Sequence, residues 1–592
     1  MRKTTLALAV ALSCLLAPTH AAVQPLPEDV IAVVELPNVV ATAPRLQQTA
    51  GQIQPGTVVP PVHQVAAVQL LKTQNPQTVD LSKPLRMVLL APPRHMFPVT
   101  VFAVPDAAAY LESLRPNIQK QEEVDGVHVY QEESAPFGLG VPAPPKPLCI
   151  GTVGQKAVMG SSPVAVRSVM ALVAGGNLPE EPFFEGDAGA AVRLRKLLAD
   201  LDAAGQNPFN QFKALAQAAQ PGAPSQAASM EAIVDAYQAM AEQLEVLTGQ
   251  IAFEPDATML TFTVKPAAGS AIESYVNTVP SGELRLLKYM PADATMVCAW
   301  RSGDISGLLE WYTGWLGKMY GALGMDAETV NQFAGMMNLW KDVMGGEIAV
   351  AMSAAPGGPM TVVEALTVGD VEKARKAVAT MLKDMPELMP AQPGVKMAFE
   401  ANPKAASHAG HDIDQWSFTM EFEPIDDTEA ARAMAETQGA MIRNVWGEKM
   451  QMCSTFIGAD YVFTVGPDGL DSLKRVIDGD FEPVVGSQRL ADALEGMPED
   501  PMAVACVSLG DLANWYLGVL EAMPLPLSLE QIRFESGPPV GIAAYVTDGG
   551  VVEKRVRVPH GAVRAIVQGV QNAFVGMQGP PPVQTAPQPA TP

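Results

Sequence analysis

Cysteine, histidine and charge are all scarce in this chain. Five cysteines in 592 residues, four of them (Cys149, Cys298, Cys453, Cys506) beyond the N-terminal stretch, make no disulfide framework. Histidine occurs seven times, and none stands beside a Ser or Cys nucleophile with a third orienting group. There is no G-x-S-x-G, no G-x-x-x-x-G-K-[ST] and no H-E-x-x-H, which removes the motif-bearing hydrolases, nucleotidases and zinc proteases. No cofactor is implied. Only 17% of residues are charged, and acids outnumber bases enough for a net charge of −24. Such a surface repels phosphate backbones, so nucleic acid is not an expected partner, and anionic membrane surfaces are disfavoured for the same reason. Past the leader, no uncharged apolar run reaches the length of about 18 residues that a membrane-spanning helix needs.

What is present is apolar material, 48% of the chain, in a length too great for one compact core. The first residues, MRKTTLALAVALSCLLAPTHAA, read as a secretory signal peptide over 1–21. Arg2 and Lys3 form its basic region, Leu6 to Leu16 its apolar region, and Thr19 and Ala21 the small residues before cleavage. Cleavage after Ala21 leaves 37 basic against 63 acidic residues, a net charge of −26. Ala11-Leu12-Ser13-Cys14 faintly resembles a lipobox, but Ala11 stands where Leu is usual and the apolar run continues past Cys14. The expected location is therefore exported, in the periplasm or outside the cell.

One phrase recurs three times: PEDVIAVVEL at 27–36, PADATMVCAW at 291–300 and PEDPMAVACV at 498–507. After the first two, the same events follow: a helical stretch, two strands around a turn, and a helix opening at Asp106 or Asp370. Each Asp is a candidate N-cap, because its carboxylate accepts from free first-turn amides. Next come CIGTVGQKAVMG from Cys149 and CSTFIGADYVFTVG from Cys453, each with a glycine five residues on (Gly154, Gly458) and a following helix. Strand-to-helix segments then close each half. The reading is an α+β fold of two homologous tandem units, 22–280 and 281–578, with largely antiparallel sheets flanked by helices. Pro-rich linkers are expected at 130–148 and 386–407, and a Pro-rich tail at 579–592.

Four stretches are candidates for chemistry. Cys298 and Cys506 lie in two copies of the phrase and would bridge if their strands are neighbours with suitable geometry; otherwise each is a small buried apolar group. SHAGHDID offers His408, His411 and Asp412 as metal ligands, against the simpler reading of a solvated hairpin turn. DGDFEP (478–483) gathers acids but lacks a calcium-loop pattern, so it reads as a surface turn. The most distinctive stretch is 308–345. Trp311, Tyr312, Trp315 and Met319 recur there at helical spacing, and Trp340 stands on a second expected helix. Such spacing by itself predicts packing on the sheet. The functional reading is an adaptable apolar surface for a lipid-like ligand or a protein partner, with 211–247 as the first-copy counterpart.

The repeated phrase, the paired strands and the segment SQRLADALEGMPEDPMAVACVSLGDL (487–512) resemble a group of exported, often duplicated bacterial proteins known only as a domain of unknown function. The resemblance implies export and duplication and brings no catalytic residues. The expectation is a non-catalytic binding or structural protein of the envelope or periplasm. Its alternatives are a carrier of an apolar ligand and an enzyme without a recognisable motif.

Overall fold

The computed structural model describes residues 26–91, 97–132, 146–205, 207, 209–211, 213–214, 224–322, 335, 343–388, 394–521, 532–547 and 549–577. The expected leader and Cys14, and the expected tail, lie outside these residues.

Among the described residues, alternating β-branched and small residues build twenty strands that form one sheet. The first ten are β1 (Val30–Leu36), β2 (Leu85–Leu90), β3 (Val99–Ala103), β4 (Ile118–Val124), β5 (Val127–Glu132), β6 (Lys146–Val153), β7 (Lys156–Gly160), β8 (Ala188–Val192), β9 (Leu244–Phe253) and β10 (Ala257–Pro266). The second ten are β11 (Met296–Arg301), β12 (Met344–Ala354), β13 (Met360–Val368), β14 (Val395–His408), β15 (His411–Phe422), β16 (Met450–Ile457), β17 (Asp460–Gly466), β18 (Ala503–Val507), β19 (Val540–Thr547) and β20 (Val551–Pro559). Every ladder is antiparallel. The first ten lie in the order 4-5-6-7-3-2-1-8-9-10. The second ten lie in the order 14-15-16-17-13-12-11-18-19-20. The two sets therefore share one pairing order. They meet where β10 pairs with β20, from Ala257↔Pro559 to Val264↔Val552.

The turns explain part of this order. The β4–β5 and β14–β15 hairpins both turn through two residues at positive φ, Asp125-Gly126 and Ala409-Gly410. This is the type I′ geometry whose twist matches the flanking strands. Gly154 and Gly458 start the β6–β7 and β16–β17 turns with positive φ, which explains their shared place after the cysteines.

Helices cover both faces. Those of six residues or more among the described residues are α1 (Val39–Ile53), α2 (Ala107–Glu112), α3 (Pro163–Ala174), α4 (Leu194–Ala203), α5 (Pro224–Glu242), α6 (Ala271–Thr278), α7 (Ser306–Ala322), α8 (Val371–Leu388), α9 (Glu429–Trp446), α10 (Gly469–Asp478), α11 (Gln488–Ala493), α12 (Leu509–Leu520) and α13 (His560–Met577). Asp106 caps α2 through the amides of Ala108 and Ala109, and Asp370 caps α8 through those of Glu372 and Lys373. In the first half, α3 seals Val33, Val88, Val99 and Val158 on one face. Phe102, Tyr110, Tyr130 and Ile150 fill the other. In the second half, α10 seals Ala349, Ala365 and Val462, while α8 covers Leu366, Trp416, Phe456 and Tyr461.

Two expectations are corrected here. The stretch 386–407 is not a linker: from Val395 it is strand β14. Val395, Met397, Phe399 and Ala401 alternate with more polar neighbours, and Pro403 is tolerated because β14 is an outer strand with a register break between Asn402 and Ala406. At 130–148, the ends belong to β5 and β6, and only 133–145 lie outside the described residues.

Candidate functional site

Helix α7 starts just after the central strand β11 and crosses toward the first half, where it packs on α5 and α6. Its mirror in the strand order is α1, which follows β1 and packs on α13. The segment 211–247, expected as the first-copy counterpart of the aromatic helix, includes α5, on which α7 packs.

On α7 the buried anchor is Leu309, about one turn before Tyr312. Trp311 and Trp315 are half-buried, and Tyr312 keeps 36% of its surface exposed. The Tyr312 and Trp315 rings lie 5.5 Å apart at a tilt. The indole Nε1 of Trp315 is buried yet meets no acceptor among the described residues. Such an orphaned donor costs about 1–3 kcal/mol until an oxygen reaches it. Met319 lies on the same helix, with its side chain outside the described residues, and Trp340 lies outside them entirely. Beside α7, Tyr237 and Met240 of α5 are exposed at 62% and 41%. On the far side of α5 opens a polar cavity of about 560 Å³, lined among others by Arg195, Asp202, Gln238, Glu242 and Ser270.

The other expected constellations separate. His408 and His411 face each other across the β14–β15 turn but turn to different partners. His408 Nε2 pairs with Asp478 at 2.8 Å, and His411 Nδ1 with the Phe456 carbonyl at 3.0 Å. Asp412 pairs with Lys404 at 2.8 Å. Among the described residues no three His, Cys, Asp or Glu converge as metal ligands. DGDFEP closes α10, with Gly479 in the left-handed conformation of a helix cap.

The Cys298–Cys506 bridge does not form, although β11 and β18 are neighbours. Cys506 pairs with Val297, and Cys298 with Ala505, so the two thiols point to opposite faces of the sheet. All four described cysteines are free, and burial raises each thiol, that of Cys453 to about 11. Protonated, buried thiols are poor nucleophiles.

Several polar groups escaped the sequence reading. Glu35 on β1 is fully buried and accepts from Arg86 of β2 and from the Phe183 amide at 2.8 Å. Arg86 spends its remaining donors on the carbonyls of Pro179 and Glu181. Burial still raises the Glu35 carboxyl against these partners. On β13, Glu364 sits between Val350 and Phe463 in cross-strand register, and burial lifts its carboxyl to about 7. In the sequence it is a lone acid inside TVVEALTV, a pattern that alone does not tell a buried acid from a solvent-facing one. His560 opens α13 and is buried where β10 meets β20.

No protein-family model, no curated protein and no solved structure matches the chain.

Proposed function

We propose that this chain is an exported, non-catalytic binding protein of the envelope or periplasm. Its two sets of ten strands arose by duplication of one α+β unit, as in the group its repeated phrase resembles. The shared pairing order supports the duplication. The aromatic surface of α7 is the binding element. It takes an apolar group, from a lipid-like ligand or a partner protein, that carries an oxygen to meet the Trp315 indole. The observation that carries this reading is the half-exposed Trp311-Tyr312-Trp315 run with its orphaned buried donor, since a purely structural aromatic run would be sealed and satisfied.

Native mass spectrometry of the full protein from its own cells tests this. The expected result is an added mass that disappears on denaturation and falls in a Trp311→Ala/Trp315→Ala variant of unchanged melting temperature. A bare chain mass in both forms would sink the carrier form of the proposal. Co-purification with a protein that the double variant loses would establish the partner form.

A further inference from the structure

A second cleft lies at the outer end of the other half. It measures about 450 Å³ and opens between α8 and the β14–β15 hairpin, over Phe456 of β16. Its walls are apolar: Val378, Ala379 and Leu382 from α8, Ala401 and Pro403 from β14. The backbone creates this space. Between Asn402 and Ala406 the β14 ladder breaks register, and Lys404 adopts a φ of 53°, a conformation uncommon for a side-chain-bearing residue. The three residues between the flanking pairs therefore leave the ladder, and the strand bows at the cleft mouth.

The charges around the mouth are not balanced within it. Lys404 neutralises Asp412 at 2.8 Å, and its amide donates to Asp414 at 2.8 Å. Arg375 lies over the Phe456 ring, 4.5 Å from its centre; it helps Lys404 hold the Asp412 carboxyl below its usual range but closes no ion pair with a carboxylate among the described residues. Lys383, one turn beyond Val378 and Ala379 on α8, also lacks one among the described residues. Three cations, Arg375, Lys383 and Lys404, thus face two carboxylates, Asp412 and Asp414, around the slot, an excess of one positive charge in a chain of net charge −24. An exposed guanidinium that rests on an aromatic ring can grip a carboxylate through two parallel N–H donors, and Arg375 is exposed and lies over Phe456.

We infer that this cleft binds an amphipathic carboxylate of medium chain length, with its head on Arg375 and Lys383 and its chain on Val378, Leu382 and Phe456. The site is independent of the α7 surface.

Calorimetric titration of the full protein with decanoate at pH 7.5 tests the inference, with 1-decanol and acetate as controls. Saturable binding of one decanoate at this cleft is expected, with acetate silent and decanol at least about tenfold weaker, as loss of a charge-assisted contact implies. An Arg375→Gln/Lys383→Gln variant weakens decanoate by a similar factor. Both side chains are exposed, so its melting temperature stays put. The binding component that Arg375→Gln/Lys383→Gln weakens persists in Trp311→Ala, and any component that Trp311→Ala alone removes belongs to α7, which separates the two sites. The inference is overturned if decanoate does not saturate, if decanol binds as tightly, or if the double variant titrates like the parent.

Discussion

At the scale of single residues, the most consequential groups are carboxylates placed where apolar residues are the rule. Glu35 and Arg86 form a buried pair in the middle of the first half, and removing one partner strands the other in an apolar sheet. Glu35→Ala is expected to destabilise the protein by about 3–5 kcal/mol, measured by urea unfolding, whereas Glu35→Leu combined with Arg86→Met recovers most of that loss. Glu364 makes itself felt through pH. Its carboxyl sits near 7 in the fold against about 4.5 when exposed, so the protonated form is the one the fold favours. Its contribution is complete below pH 4.5 and disappears as pH rises through about 7. Urea melts at pH 5 and pH 8 should therefore show a stability difference, up to about 3 kcal/mol from this group, that Glu364→Gln abolishes. Neither residue was marked in the sequence reading. A single acid in an apolar strand is indistinguishable there from a solvent-facing one until the strand's neighbours are known.

At the scale of elements, most strands and both Asp-capped helices were legible because their periodicity and turn chemistry are local properties. β14 was missed because Pro403 and its polar neighbours look like a linker, yet an outer strand needs no ladder on its open side. The aromatic helix was also legible, but not its neighbours, since α5 and α6 reach it through tertiary packing alone. The start of α13 shows the same limit. His560 bridges Gln52 of α1 at 2.5 Å and Thr258 of β10 at 3.3 Å, and its amide donates to Asp256. Burial lowers its pKa; Asp256 works against that shift, and Arg557 and Arg564 reinforce it. The unfolded chain therefore binds the proton first as pH drops, and the stability this neutral histidine contributes is lost on acidification below about 6.5. Thermal melts from pH 7.5 to 5 should show that loss, and His560→Asn should flatten it. The outer strands carry their own protection. β4 presents Lys120, Glu122 and Glu123 to solvent. Replacing all three with threonine should yield concentration-dependent association by sedimentation velocity, because an uncharged edge pairs with another.

At the scale of the whole molecule, twenty strands at about 4.8 Å spacing make a sheet roughly 90 Å across, well beyond the usual size for an open sheet. The β10–β20 ladder makes this possible by turning two edges into an interior contact, and Arg557 reinforces it by pairing with Asp256 at 2.5 Å. The helices α7 and α1 cross the same junction in mirrored fashion. Expressed separately, 22–280 and 281–578 would each bare one of these strands. Each half alone is expected to self-associate, and the two co-expressed should elute as a one-to-one complex by light scattering.

The same geometry fixes how the sheet carries tension. Antiparallel hydrogen bonds lie across the strands, so a pull between the outer strands β4 and β14 loads every ladder in series. A series yields at its shortest link. The junction has eight residue pairs, whereas β2 and β3 share three, Arg86↔Val101 to Val88↔Val99. Stretched sideways, the protein would tear inside its first half while the joint between the halves still held.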